Sequence, residues 1–544
     1  MIMDSYKNIA LLFSGKTGVQ RKPASRSAST SIRTLPIKRP LQKAHTPEAP
    51  VIIVGGGLAG ITAAYQLQKK GRATVVLETA PRIGGNAKTG YRTYTEGDVP
   101  KKQPYPIGAS VLAVANQEQR DLFSELGIDV SNPKYTIHTD VAYFDGEWVS
   151  IDPAQVPEAQ AKRAPWVLPF VNETQQFIQF LRNILRTRDG KTHFPLQQAP
   201  HPMFAWDKLS MAEVFDGWSH RVRDFFTLNL RSDVANDMHR LSGLAGIIDQ
   251  GADMGERCVL PGGNFYLIRK MTDRIRQNEK KGLPKVQIIR DAHVEAVVDP
   301  GLKPRQKPPF SMGPRAKKIQ TENTPNPVKV SYRDAKGKLH QLNTSHVLLA
   351  LPSHKIPPIV PGLIPDDADF LTNIKRGSYA LMNLYLDEAP VQSHTYFKFP
   401  YAKWAADAIL NNAPYDPELP VGSKAPVVIT TYIGITEDMR KDGLPKPNVI
   451  MKEAIAEMSV AWPWLKDKIK GARITFYPDA MSAPAPGQMT QIRDFNPQLT
   501  PHIRSIHSDL SGVFAARGAI DQALRGVDAV LEKEQKKTAL TTFA

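Results

Sequence analysis

Cysteine is almost absent, with Cys258 the single one in 544 residues. An internal disulfide and a cysteine-clustered metal site are thereby excluded, which suits a reducing compartment. Long hydrophobic runs are missing too. No stretch reaches the roughly 18 apolar residues of a membrane-spanning helix, so a cytoplasmic protein is expected, at most peripherally attached to a membrane. Acidic residues are scarce at the start, where only Asp4 and Glu48 oppose the recurring Lys and Arg of residues 1–48 within a net charge of +17. That stretch is expected to be a disordered basic tail. Ile9 to Phe13 is too short for a secretory signal, while an organelle transit peptide is the other reading of such a leader. No basic segment is interleaved with aromatics, so specific nucleic-acid binding is not expected. His, Asp and Glu are scattered through residues 116–255 without ligand spacing, and no metal site is expected.

What is present is concentrated near the start of the ordered chain. Val51 to Val54 is an apolar run, Gly55, Gly57 and Gly60 follow, and Leu58, Ala59 and the run to Lys70 continue at helical spacing. This is the strand, tight turn and helix that open a dinucleotide-binding βαβ unit. Gly55 permits the turn, Gly57 a close approach to a pyrophosphate, and Gly60 close packing of the helix. The pyrophosphate is expected on free N–H groups at the helix start. Arg72 to Leu77 forms a second apolar run, and Glu78 ends it at the position where a carboxylate binds ribose hydroxyls.

The continuation, Glu78-Thr79-Ala80-Pro81-Arg82-Ile83-Gly84-Gly85-Asn86 through Thr89, resembles the extended signature of flavoproteins related to monoamine oxidases, phytoene desaturases and protoporphyrinogen oxidase. The resemblance implies noncovalent FAD, because Cys258 is far from the position where relatives attach flavin. It implies FAD contacts at Arg82, Gly84, Gly85 and Asn86, although Asn86 stands where a cation is common. It also implies that Gly108, Ala109 and Ser110 pass the flavin ring, and that the backbone of Val294 meets the adenine. Ser511 to Arg517 resembles the strand leading to the flavin, and Ala519 and Ile520 the closing turn, with Arg517 either near phosphate or filling a shortened loop.

The fold class expected is α/β, a Rossmann-like FAD-binding domain with a discontinuous α+β substrate domain. The FAD domain is assigned to 49–115, 256–355 and 471–533, the substrate domain to 116–255 and 356–470, and a tail to 534–544. Helices are expected at Gln117 to Leu126, Met211 to Trp218 and Tyr266 to Gln277. Strands are expected at Val286 to Ile289, His293 to Val298, Val328 to Arg333 and Leu339 to Asn343, with a solvated insertion at 299–327. Phe177, Ile178, Leu181, Ile184 and Leu185 share a helical face that either packs inward or, after Trp166, meets an anionic membrane.

Two departures bear on chemistry. Ser378 to Leu384 has no Lys where amine oxidases of this kind carry one, Lys375 coming too early, and Ala519 replaces a cage tyrosine. The leading expectation is therefore FAD-dependent hydride abstraction from a small, largely apolar substrate, a dehydrogenation or isomerisation of the carotenoid-desaturase kind. Oxidation of an amine or amino acid is the alternative, and a flavin-binding protein without turnover is a third. No catalytic residue is named.

Overall fold

The structure is a computed structural model that describes residues 49–96, 98–113, 116–137, 139–185, 201–253, 257–300, 328–391, 395–405, 407–412, 421–422, 426–441, 443–444 and 446–542. The basic tail 1–48 and most of the insertion 299–327 lie outside the described residues. From Ala49 onward the chain forms one compact unit.

Its first layer is a five-stranded sheet in the order Ile503–Ser505, Val347–Leu349, Val51–Val54, Thr74–Leu77, Val286–Ile289. Every pairing in it is parallel. Such strands are buried on both faces and read as continuous apolar runs, which is why Val51–Val54 and Val347–Leu349 lack alternation. One face carries the Leu58–Lys69, Phe265–Lys280 and Ala516–Thr542 helices through Ile61, Leu67, Ile268, Met271 and Ala523. The other face packs on a three-stranded antiparallel sheet, His293–Val298, Val328–Arg333 and Leu339–Thr344.

The second layer is a seven-stranded mixed sheet, ordered Gly471–Ser482, Arg376–Leu386, Val427–Ile435, Asp407–Asn412, Thr395–Lys398, Thr139–Phe144, Glu147–Ser150. Gly471–Ser482 pairs along Arg376–Leu386, so this strand belongs with the substrate half and not with the FAD half assigned from sequence. Conversely, Ile356, Val360, Leu371 and Ile374 pack with the parallel sheet. After its first pass through Thr139–Ser150, the chain re-enters the mixed sheet only at Arg376.

Three further expectations change, and a fourth resolves to its inward alternative. Ser511 to Arg517 is no strand, because Ser511 Oγ donates to Val513 O at 2.6 Å and accepts from Val513 N–H at 2.9 Å, turning the chain back on itself before a helix begins at Ala516. That helix runs to Thr542 rather than ending in a tail at 534, as the Ala, Leu, Glu and Lys of this stretch favour. The Met211 helix stops at Val214, held at its start by the reciprocal Ser210 and Glu213 capping box. Finally, the apolar face of the Val167–Leu185 helix is committed to the interior: Phe177 lies 4.5 Å from Phe226 and 4.9 Å from Trp218 between ring centroids. Among the described residues no helix is long and apolar enough to cross a membrane.

Candidate functional site

The site begins where the central strand ends. Gly55 has φ +106°, and a Cβ there would lie 2.5 Å from the Ala350 carbonyl oxygen. A Cβ on Gly60 would lie 1.9 Å from the Gly55 carbonyl oxygen, so the helix start rests directly on the turn. Gly57 precedes that helix, no side chain caps it, and its first turn holds no acid. The positive end of the helix dipole is therefore left for an anion. Leu58 and Ala59 are buried and offer this end only their backbone.

Glu78 closes the second strand and is buried. Gly56 N–H donates to its Oε2 at 2.7 Å and Ala80 N–H to its Oε1 at 2.8 Å. Both oxygens are thus fixed in direction, and each retains a lone pair for an incoming hydroxyl. The chain then returns to the turn: Gly84 N–H donates to Gly56 O at 2.9 Å, and a Cβ on Gly85 would lie 3.2 Å from the Gly57 Cα. Asp291 N–H and Ala292 N–H donate to Ala80 O and Glu78 O at 3.3 and 2.9 Å. These bonds bring the start of the Val294 strand beside the carboxylate.

Asn86 and the Gly108–Ser110 segment extend the cradle. Ala109 N–H donates to Asn86 O at 2.8 Å, and a Cβ on Gly108 would meet that oxygen at 2.1 Å. Asn86 Nδ2 donates to Ala480 O at 2.6 Å, which ties the cradle to the mixed sheet and gives a short neutral donor a use where a long cation would overreach. Asn86→Ala is expected to cost about 0.5–1.5 kcal/mol, the net value of one hydrogen bond, read from urea denaturation. Gly85, Asn86 and Ala109 form an exposed strip. Arg82 is exposed. Arg517 is buried, its carbonyl accepting from Gln119 Nε2 at 3.2 Å. Ala519 and Ile520 pack into the helix core with Leu58 and Ala59, so their side chains serve packing.

The sequence reading misses the roof over this cradle. Asn383 Nδ2 donates to Pro106 O at 3.0 Å, Tyr477 OH donates to Ile107 O, and the Tyr105 and Tyr385 hydroxyls meet at 2.7 Å. Burial pushes the Tyr477 phenol up to about 12, so it remains a donor at neutral pH. Ser110 Oγ and Tyr432 OH share a short hydrogen bond. These partners come from strands some 270 to 370 residues further along, and no local pattern marks them.

Beyond Ser110 one face of the mixed sheet carries tyrosines and aliphatic side chains around a buried ion pair. Leu381, Tyr432, Asp407 and Lys398 are successive register partners across four strands and so share one face. Lys398 is 2% exposed, lies 3.7 Å from Asp407 Oδ2 and stands 4.1 Å over the Tyr396 ring. Arg257 pairs with Asp140 in the adjoining row. Burial raises the Asp407 carboxyl, against the pull of Lys398, Ser232 and Tyr396. Lys375, by contrast, is exposed at the strand's entrance.

Comparison with known proteins agrees with this arrangement. Residues 53–126 match the NAD(P)-binding Rossmann-like domain family. The chain is similar to the flavin-containing amine oxidase of Oncorhynchus mykiss, 30% identical over 203 residues, and to flavin-containing amine oxidase B of Sus scrofa, 29% identical over 202 residues. Each match covers 36% of this chain and 34% of the relative, so the chain spans about a third of the length of these curated relatives. The fold is shared with cyclohexylamine oxidase from Brevibacterium oxydans IH-35A, at a TM-score of 0.63 and 14% identity over 90% of this chain and 100% of that one. The putrescine oxidase structure bound to putrescine aligns at a TM-score of 0.60 and 14% identity, over 89% and 99% of the two chains. The mixed α/β architecture with a Rossmann-like domain is therefore that of amine-oxidase structures.

Proposed function

We propose that this chain is an FAD-dependent oxidoreductase whose substrate carries an amine. The observation that carries the reading is the tyrosine-rich face of the mixed sheet, with Tyr379, Tyr396, Tyr432 and Tyr477, that meets the cradle at Ser110 through Tyr432. A polyene finds no partner in the phenol hydroxyls of this face, whereas the nitrogen of an amine can exchange hydrogen bonds with them. The similarity to flavin-containing amine oxidases supports the same choice, and the desaturase-like expectation finds no comparable support.

The residues present fit FAD. Glu78 would take the ribose hydroxyls, the Gly57 to Gly60 backbone the pyrophosphate, and the strip of Gly85, Asn86 and Ala109 would lie along the flavin. Bound FAD supplies the two-electron acceptor for a substrate C–H bond. The chain's own part is to hold the substrate nitrogen against the sheet face and to exclude water, as the Tyr385, Asn383 and Tyr477 contacts with residues 105–107 do from above.

Purified protein, or protein reconstituted with FAD, is expected to show a flavin spectrum that bleaches anaerobically with primary aliphatic amines and not with polyenes. Bleaching by polyenes alone would overturn the amine assignment, and bleaching by neither would favour a binding-only protein. Glu78→Ala is expected to weaken FAD by roughly 10- to 100-fold, since a hydrogen bond to a charged group is worth about 1.5–3 kcal/mol and about 1.4 kcal/mol is tenfold. Equilibrium dialysis reads this directly.

A further inference from the structure

A second polar cluster lies between two helices of the substrate half, His220–Val234 and Gly243–Asp253. Gln250 is 1% exposed, and its Nε2 donates to Asp233 Oδ2 at 3.1 Å and to Asp249 Oδ2 at 2.9 Å. The two carboxylates fix which way this amide faces, and Gln250 Oε1 is left without a donor. Asn229 precedes Asp233 by one helical turn and shares its face. It is 2% exposed, and neither polar atom of its side chain has a partner.

Buried amides left unbonded destabilise a fold, so packing does not account for this group. Oxygen dominates it. Each carboxylate has about four lone-pair sites, of which the Gln250 amide takes one, and the Gln250 and Asn229 amide oxygens add two acceptors without donors. A cationic group that carries N–H donors and no acceptor matches such a set. Asp233 and Asp249 are half-buried, which gives the cluster an open side.

The cluster also adjoins the tyrosine-rich face. Ser232, next to Asp233, donates to Asp407 Oδ2 on the mixed sheet at 2.7 Å, and Ala235 packs with Tyr379, Tyr396, Tyr432 and Tyr477. Burial, then Asp407 and Asp233, push the Tyr379 and Tyr396 phenols up. The Asp233 charge is therefore felt on the face against which the substrate nitrogen is proposed to rest.

We infer that Asp233 and Asp249, with the Gln250 and Asn229 amides, bind a second cationic group of the substrate, so that the preferred substrate is a dibasic amine rather than a simple alkylamine. This rests on the amine reading above. One amino group meets the cradle, the other meets the acidic cluster, and the tyrosine rings cover the hydrocarbon spacer between them. The bound group satisfies the amide oxygens that the protein leaves without donors.

The test mixes the FAD-loaded protein anaerobically with straight-chain α,ω-diamines of increasing length and with monoamines of equal length. The concentration dependence of flavin bleaching gives an apparent Kd for each. One diamine length is expected to bind about 10- to 100-fold more tightly than its monoamine, the worth of a hydrogen bond to a charged group. Asp233→Asn should remove most of that preference, and Asp233→Glu should move it to a shorter diamine because the carboxylate reaches further. A purely structural aspartate would not shift the preferred length. Should Asp233→Asn fail to fold, Asp249→Asn makes the same test. Equal affinity of diamines and monoamines at every length, or a preference that survives in the folded Asn protein, overturns the inference and leaves the amine reading standing. Bleaching by no amine overturns both.

Discussion

A Gly60→Ala protein is expected to be colourless and destabilised by about 3 kcal/mol, the upper part of the usual range for overpacking. The new methyl would lie 1.9 Å from the Gly55 carbonyl oxygen, an atom of backbone that no rotamer change can move aside. Gly55 is itself held by its N–H bond to Leu77 O at 2.8 Å, so relief requires the helix to lift off the turn. Gly57→Ala is the informative partner. Gly57 has φ −76°, and its Cβ would find its nearest neighbour at 3.7 Å, an ordinary contact. This protein should keep its stability and lose FAD affinity alone, because the methyl enters the space proposed for the pyrophosphate. Urea denaturation with and without FAD separates the two. Equal loss of stability in both proteins would mean that Gly57 is structural.

Asp509→Ala is expected to cost about 3–5 kcal/mol, the penalty for stripping one partner from a buried ion pair. Asp509 is 1% exposed and accepts from Ser353 N–H at 2.8 Å, Ser482 Oγ at 2.5 Å and Arg376 Nη1 at 2.5 Å, with His507 Nδ1 at 3.1 Å. Ser353 follows the parallel sheet, and Arg376 and Ser482 belong to the mixed sheet, so one carboxylate fastens both layers. Burial works to raise this carboxyl, yet His507, Arg376 and Ser482 together hold it well below the usual range. The sign follows from that depression. The ionised form is favoured by folding, so its contribution is complete above the unfolded value of about 3.9 and is lost as pH falls toward the lower folded value. Denaturation midpoints of the wild-type protein should fall between pH 5 and pH 3 more steeply than those of Asp509→Ala. Parallel slopes would remove Asp509 from the acid response.

Much of the cradle was legible because its parts are close in sequence. The spacing of Gly55, Gly57 and Gly60 and the position of Glu78 are consequences of one strand, one helix and one more strand, and local periodicity carries all three. Gly84 and Gly85 fall on the return to the same turn. The roof was not legible. Tyr432, Asp407 and Lys398 meet through antiparallel register, and nothing within a few residues of Lys398 says which strand it will face. Ser378 to Leu384 holds no lysine, and the Lys398 ammonium on this face belongs to another strand of the sheet. Ser511 to Arg517 looks like a strand because Val513 and Phe514 are apolar and buried, as strand residues would be, whereas the Ser511 hydroxyl bonds to Ser508 O and to the Val513 backbone in a turn. Gly471–Ser482 was assigned to the wrong half because sheet membership depends on its partner and not on its own pattern.

The bonds from Asn383, Tyr432 and Tyr477 to residues 106–110 also impose an order on biosynthesis. The glycine turn, Glu78 and Gly108 leave the ribosome within the first fifth of the chain, but the strands that close over them emerge only between residues 376 and 482, and the last strand of the parallel sheet at 503–505 comes later still. A nascent chain therefore carries an open half-site through most of its translation. Tight retention of the cofactor becomes available only when residues 376–505 have folded back, so premature termination is expected to yield apoprotein rather than a flavoprotein of reduced activity.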